Sequence, residues 1–190
     1  MTIKYTNFRG EDYFLHHRLT KKGNDNYYFK KNDDQSKVDE IPEGFEIYEH
    51  PNGRVFLRKK LPRLFTEKEV KIVDQGIKKY SPIKDFKLDV KKDTIYIYTY
   101  ENPVTSIDEM PVIVEALSDP RYKNYFTELR FRLVTDDSDE REFIVERVYY
   151  SGSAEDEWIF LDTSTDLKDL VKTYVQHLGK DSFFDLHYIK

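Results

Sequence analysis

This chain of 190 residues predicts an α+β fold, in which antiparallel β-hairpins form a sheet with two or three amphipathic helices packed on one face. Three observations carry that expectation. Short runs of period-two alternation are separated by compact turn sequences, so consecutive strands pair antiparallel. Two segments switch to helical periodicity behind capping signals. Finally, 15 Tyr, 13 Phe and one Trp supply large buried areas to a chain that is only 38% hydrophobic and 35% charged, a composition unlike that of disordered segments. One domain spanning 1–190 would bury roughly 70% of its unfolded surface. If the chain divides, a β-rich lobe over 1–80 and an α+β lobe over 84–190 are expected.

Tyr13 to Leu19 and Tyr27 to Lys31 are aromatic-rich runs joined by Thr20-Lys21-Lys22-Gly23-Asn24-Asp25. Gly accepts positive φ, so a hairpin with a basic tip is predicted. Residues 32–40 hold almost nothing apolar and read as a connector. The sharpest local signal is His50-Pro51-Asn52-Gly53-Arg54. Pro presets φ for the first turn position, Asn suits the second and Gly takes the left-handed conformation, which specifies a three-residue loop with a Gly bulge. His50 then pairs with Arg54, Tyr48 faces Phe56, Ile47 faces Leu57 and Glu46 faces Arg58.

Residues 66 to 80 predict a helix. Thr66 is its N-cap, Glu69 completes a capping box, and Phe65 and Val70 occupy the positions of a hydrophobic staple. Val70, Val73, Ile77 and Tyr80 make one apolar stripe, Lys78 and Lys79 complement the dipole, and Pro82 ends the helix. Gly76 inside it costs about 1 kcal/mol relative to Ala.

A second hairpin turns at Lys92-Asp93, with Val90 opposite Ile95, Leu88 opposite Ile97 and Phe86 near Thr99. The other face then shows Lys87, Asp89 and a row of Tyr96, Tyr98 and Tyr100. Ser106 to Leu117 favours a helix through a capping-box pattern and Pro111 in the first turn, with a strand from 112 as the alternative. Residues 126–150 read as a long hairpin around Asp136 to Glu140, with Leu133 opposite Phe143, Phe131 opposite Val145, and Arg130 opposite Glu146 on the solvent side. Glu157 to Asp162 is a further strand. Residues 164–178 form an amphipathic helix with Leu167, Leu170, Val171, Tyr174, Val175 and Leu178 on one stripe, stopped by Gly179.

Charge changes sign along the chain. Residues 1–92 hold 21 Lys and Arg against 15 Asp and Glu, whereas residues 93–190 hold 10 against 21, so the total of −5 conceals a dipolar distribution. Such separation bears on partners and encounter rather than on fold. Arg54, Arg58, Lys59, Lys60 and Arg63 lie within ten residues, Arg18, Lys21, Lys22, Lys30 and Lys31 come from the first hairpin, and Tyr27, Tyr28, Phe29 and Phe56 are interleaved. Cations neutralise phosphates while exposed rings stack on unpaired bases, so this pattern points to single strands or RNA. An ion-pair network with Glu43, Glu46 and Glu49 is the competing structural account.

Other chemistries find little footing. Without cysteine there are no disulfides, thiolate metal sites or thiol nucleophiles, and this fits a reducing, cytoplasmic location. No run of 18 apolar residues occurs and the first residues lack a signal-type apolar stretch, so a membrane partner is not expected. Glycine-rich phosphate loops and GxSxG are absent. His16 and His17 point to opposite faces of a strand, and they, His50, His177 and His187 read as structural. The triplets Asp89-Val90-Lys91 and Glu69-Val70-Lys71 match the acid-x-Lys element of nucleases but arise by chance in so charged a chain. Asp136 to Glu140 lacks the spacing of a calcium loop. No metal or cofactor is expected.

The stretches YFLHHRLTKKGNDNYYF, IPEGFEIYEHPNGRVFLRKKLPRL, WIFLD and HLGKDSFFDL resemble a group of uncharacterised prokaryotic proteins of unknown function. That group shares a strand-turn-strand opening and a Pro-Glu-Gly followed by a Pro-Asn-Gly hairpin. The resemblance implies a single unit and carries no activity, cofactor or site residue with it.

The expected function is that of a non-enzymatic binding or accessory module. Its basic aromatic N-terminal face, built from Arg18, Lys21, Lys22, Tyr28, Lys30, Arg54, Phe56, Arg58, Lys60 and Arg63, would engage a polyanion such as nucleic acid, or an acidic protein surface. Arg58 and Lys60 are expected to face solvent. Self-association of basic with acidic flanks follows the same electrostatics, with the oligomeric state left open. The alternative is an enzyme of unrecognised type with a cleft between hairpins, His16 or His17 lining it.

Overall fold

In the computed structural model, which describes residues 2–32, 38–100, 119–134, 140–149 and 157–187, turn chemistry closes three hairpins where the sequence places them. The chain divides into two units: Met1–Lys60 with Val104–Asn124, and Leu61–Pro103 with Tyr125–Lys190. An α+β architecture results, with antiparallel sheets and, among the described residues, two α-helices. No helix among those residues is long and apolar enough to cross a membrane. The predicted helix at 106–117 and the acidic loop at 136–139 lie outside the described residues.

The first unit contains a sheet of β1 (Lys4–Thr6), β2 (Asp12–Leu19) and β3 (Asp25–Lys30), ordered β1-β2-β3, and a hairpin of β4 (Phe45–Glu49) and β5 (Val55–Lys59). The β4–β5 register pairs Tyr48 with Phe56, Ile47 with Leu57 and Glu46 with Arg58, as the turn requires. His50 N–H donates to Arg54 O at 2.8 Å and Gly53 N–H to His50 O at 2.7 Å. Gly53 has φ 77°, and a Cβ there would stand 2.9 Å from Asn7 Nδ2. That amide donates to Gly53 O at 2.7 Å, so Gly serves both the turn and a close tertiary approach.

The second unit is an antiparallel meander of β6 (Phe86–Lys91), β7 (Thr94–Thr99), β8 (Phe126–Val134), β9 (Glu142–Tyr149) and β10 (Glu157–Ser164), ordered β10-β9-β8-β7-β6. Helices α1 (Glu67–Tyr80) and α2 (Leu167–Val175) share one core with its inner face. Val73 and Ile77 of α1, Leu170 and Val171 of α2, and Ile95, Ile97, Leu129, Phe131 and Val145 of the sheet are buried together. Each such side chain contributes roughly 1.5–3 kcal/mol, which outweighs the ~1 kcal/mol helix cost of Gly76. Because α1 buries its stripe against this sheet, the division falls at residue 60 and not near 81–85.

Three details differ from expectation. α2 is regular only over Leu167–Val175, with N-cap Asp166 accepting from the N–H groups of Lys168 and Asp169. Beyond it the chain tightens into turns, and Gly179 takes φ 69°. The registers shift at Ile97/Tyr98 in the β7–β8 pair and at Phe160/Asp162 in the β10–β9 pair. Arg130 does pair with Glu146, at 2.6 Å, but their side chains are only 18% and 10% exposed, so the pair is not on a solvated face. The ring of Trp158 lies 4.0 Å from the Arg130 guanidinium carbon and shields it.

The start of α1 holds a charged lock. Thr66 Oγ accepts from Glu69 N–H, Glu69 accepts from Thr66 N–H at 2.7 Å, and Arg141 reaches Glu69 through Nε and Nη2 at 2.7 and 2.8 Å. Burial pushes the Glu69 carboxyl up, but Arg141 and the Thr66 donors outweigh it and hold its pKa below the ordinary value of 4.5. A depressed folded pKa means fewer protons bound in the folded state, so the lock stabilises above 4.5 and is lost as pH falls through the folded value. Glu69→Gln is therefore expected to lower the urea midpoint at neutral pH and to converge on wild type in acid. An equal gap at pH ~7 and pH ~3 would contradict this.

Candidate binding surface

Strand alternation sorts the basic residues of the first unit. In β2–β3, His16 pairs with Tyr28, Arg18 with Asn26 and Phe14 with Lys30, so Arg18, Tyr28 and Lys30 share a face. The Arg18 guanidinium lies 5.2 Å and Lys30 Nζ 5.6 Å from the Tyr28 ring centre, and His16 stacks on the ring at 5.7 Å. Lys21 and Lys22 stand exposed at the hairpin tip.

In β4–β5 the outward face carries Glu46 and Tyr48 opposite Phe56 and Arg58, with Arg54 and Lys60 continuing the alternation at either end. Tyr48 and Phe56 stack at 6.3 Å, and Phe56 is 45% exposed. Arg58 is more enclosed than expected. Its Nε donates to Glu46 Oε1 at 2.8 Å, its guanidinium sits 4.0 Å from the Tyr48 ring centre, and its side chain is 24% exposed, because the register places acid, ring and base side by side. Arg54 and Lys60 are exposed, and neither they nor Lys21 and Lys22 form an ion pair among the described residues.

The two faces do not merge. Tyr27, on the other side of β3 from Tyr28, meets Phe45, on the other side of β4 from Tyr48, at 6.5 Å. Arg18, Tyr28 and Lys30 therefore point away from Arg54, Phe56 and Lys60 across that contact. Arg63 belongs to the second unit. Lys4 and Lys31 are neutralised by Asp12 at 2.8 Å and Glu11 at 2.6 Å.

No protein-family model, curated protein or solved structure matches this chain. The histidines serve locally: fully buried His16 donates from Nε2 to Asn32 O at 3.0 Å, His17 donates to Asp25 at 2.6 Å, His50 Nδ1 accepts from Asn52 N–H at 3.1 Å, and His177 Nδ1 lies 2.9 Å from Ser182 Oγ. Among the described residues no three His, Asp or Glu side chains gather to hold a metal. Grooves of about 430, 380 and 260 Å³ lie on the second unit, and no histidine lines them.

Sequence reasoning placed Tyr96, Arg130 and Glu146 on the outer face of the five-stranded sheet but missed Trp158 beside them. There Tyr96 meets Trp158 edge-on at 5.8 Å, Arg130 sits between them and Glu146, and Arg132 approaches Glu146 at 3.5 Å. Of the tyrosine row, Tyr98 is buried while Tyr96 and Tyr100 are half-buried, with Tyr100 against Tyr125 at 5.9 Å. The Arg130–Glu146 pairing was legible from the hairpin register. The placement of Trp158 was not, since it depends on the β9–β10 register, which shifts at Phe160/Asp162.

Proposed function

We propose that the first unit is a binding module for a single-stranded polyanion, nucleic acid in the first instance, and that the outward face of β4–β5 is its principal contact. The observation that carries this reading is the exposed Phe56 ring flanked by Arg54 and Lys60, whose charges no described acid cancels. An exposed ring gives a base a stacking surface, worth about 1–3 kcal/mol per base, and cations on the same face give the phosphates partners. Arg58 has a different task here: paired with Glu46, it holds Tyr48 and Phe56 in a stack. Lys21, Lys22, Arg18, Tyr28 and Lys30 form a separate cationic face that adds longer-range attraction.

Anisotropy of a labelled oligothymidylate tests the assignment. Phe56→Ala is expected to weaken binding about tenfold, and Arg54→Glu with Lys60→Glu to abolish it, each leaving the circular dichroism spectrum and melting temperature unchanged. Arg58→Glu is unsuited to this purpose, since it would place two acids side by side and disturb the fold. Binding that survives both Phe56→Ala and the double reversal would remove the β4–β5 face from the account. A preference for an acidic protein surface instead would show as loss on charge reversal without loss on Phe56→Ala.

A further inference from the structure

β6 is an end strand of the five-stranded sheet, and its pairing with β7 sets its phase. Tyr100 N–H donates to Asp85 O at 3.1 Å, and the register continues through Lys87 opposite Tyr98, Asp89 opposite Tyr96 and Lys91 opposite Thr94. Backbone groups alternate sides along a strand, so odd-numbered residues bond β7 while Phe86, Leu88 and Val90 aim N–H and C=O outward. No described residue bonds those outward groups. Beside the same edge, a groove of about 430 Å³ runs between β6 and α1. Its apolar lining is Val70, Phe86 and Leu88, and its charged lining is Lys71, Asp74, Lys78 and Lys84. Lys78 and Asp74 cancel at 2.7 Å, whereas Lys71 and Lys84 are exposed and form no ion pair among the described residues.

We propose that this edge receives an extended acidic segment of another protein, which joins the sheet as a sixth strand. Its backbone pairs with Phe86, Leu88 and Val90, alternate apolar side chains enter against Val70, Phe86 and Leu88, and its carboxylates meet Lys71 and Lys84. An unpaired edge ordinarily invites such addition, and lysines on the strand are the usual defence against it. β6 has two such lysines, but Lys87 lies over the Tyr125 ring and Lys91 over Tyr96 and against Asp89, whereas Lys71 and Lys84 border the groove, where they select acidic strands over basic ones. Nucleic acid offers carboxylate-like charge but no alternating donors and acceptors for a strand edge. A second copy of β6 brings Lys87 and Lys91 with one Asp, a poor match for a groove that is already positive.

The test uses the full chain and a short labelled peptide in which Glu alternates with Val. Saturable binding by anisotropy is expected, weakened about tenfold or more by Lys71→Glu with Lys84→Glu. N-methylation of alternate peptide amides should abolish binding in one parity and spare it in the other, because only one set of N–H groups faces β6. Amide exchange should slow at Leu88 and Val90 in the complex. No saturable binding, equal sensitivity to both N-methyl parities, or a concentration-dependent dimer that the peptide cannot displace would each overturn the proposal.

Discussion

Glu146→Ala is expected to destabilise the protein by about 3–5 kcal/mol, because it removes one partner from an enclosed ion pair and leaves the other charge without compensation. The Arg130 side chain is 18% exposed, its Nε donates to Glu146 at 2.6 Å, and Trp158 covers its guanidinium. Arg132 approaches the same carboxylate at 3.5 Å, so losing Glu146 also sets two guanidinium groups against each other. Replacing both partners by apolar groups, as in Arg130→Met with Glu146→Leu, should recover most of the loss, since a paired charge gains little over packed hydrocarbon once desolvation is counted. Urea unfolding of the two single variants and the double variant measures this. A loss below about 1 kcal/mol for Glu146→Ala would mean that water reaches the pair as on an ordinary surface.

Gly76→Val should cost about 3 kcal/mol, at the upper end of the range for overpacked cores. Gly76 is in the middle of α1, where helix propensity alone predicts that a side chain would stabilise by up to about 1 kcal/mol. The structure reverses that sign. A Cβ at this position would lie 2.2 Å from Val171 Cγ1, far inside the ~3.5–4.0 Å of favourable carbon contact. Val171 is 1% exposed and β-branched on a helix, so its methyl groups have no alternative rotamer at low cost. The missing side chain is what lets α1 and α2 approach. Gly76→Ala should therefore destabilise the wild type yet stabilise a Val171→Ala background, a sign change that thermal melts of the four-member cycle would reveal. Stabilisation by Gly76→Ala in both backgrounds would show that the helices do not meet there.

Gly76 also marks where sequence reasoning stops. Its helix was legible from Thr66, Glu69 and the Val73–Ile77 stripe, because capping and periodicity are local properties. The contact with Val171, 95 positions away by the numbering, is a product of packing and leaves no local trace. Hairpin registers at Tyr48–Phe56, Val90–Ile95 and Leu133–Phe143 followed from turn chemistry and alternation. The bulge that sets Thr127, and not Glu128, opposite Tyr98 did not.

For the candidate site the difference is similar in kind. Counting cations along the chain gives only the excess of Lys and Arg over residues 1–92, whereas parity and pairing decide which of them share a face. Alternation sends Tyr27 toward Phe45 and Tyr28 away from it, which divides one expected face into two. Glu46, which sequence reading treated as a competitor for the cations, neutralises Arg58 alone and leaves Arg54 and Lys60 available.

The most direct test of the polyanion reading is the affinity of the full chain for oligothymidylate measured against salt concentration. With three to four phosphates neutralised by Arg54, Lys60 and neighbouring lysines, log K should fall against log salt with a slope of about −2 to −3, or about 20- to 50-fold between ~50 and ~200 mM. A slope near zero, or no binding at the lowest salt, would contradict it.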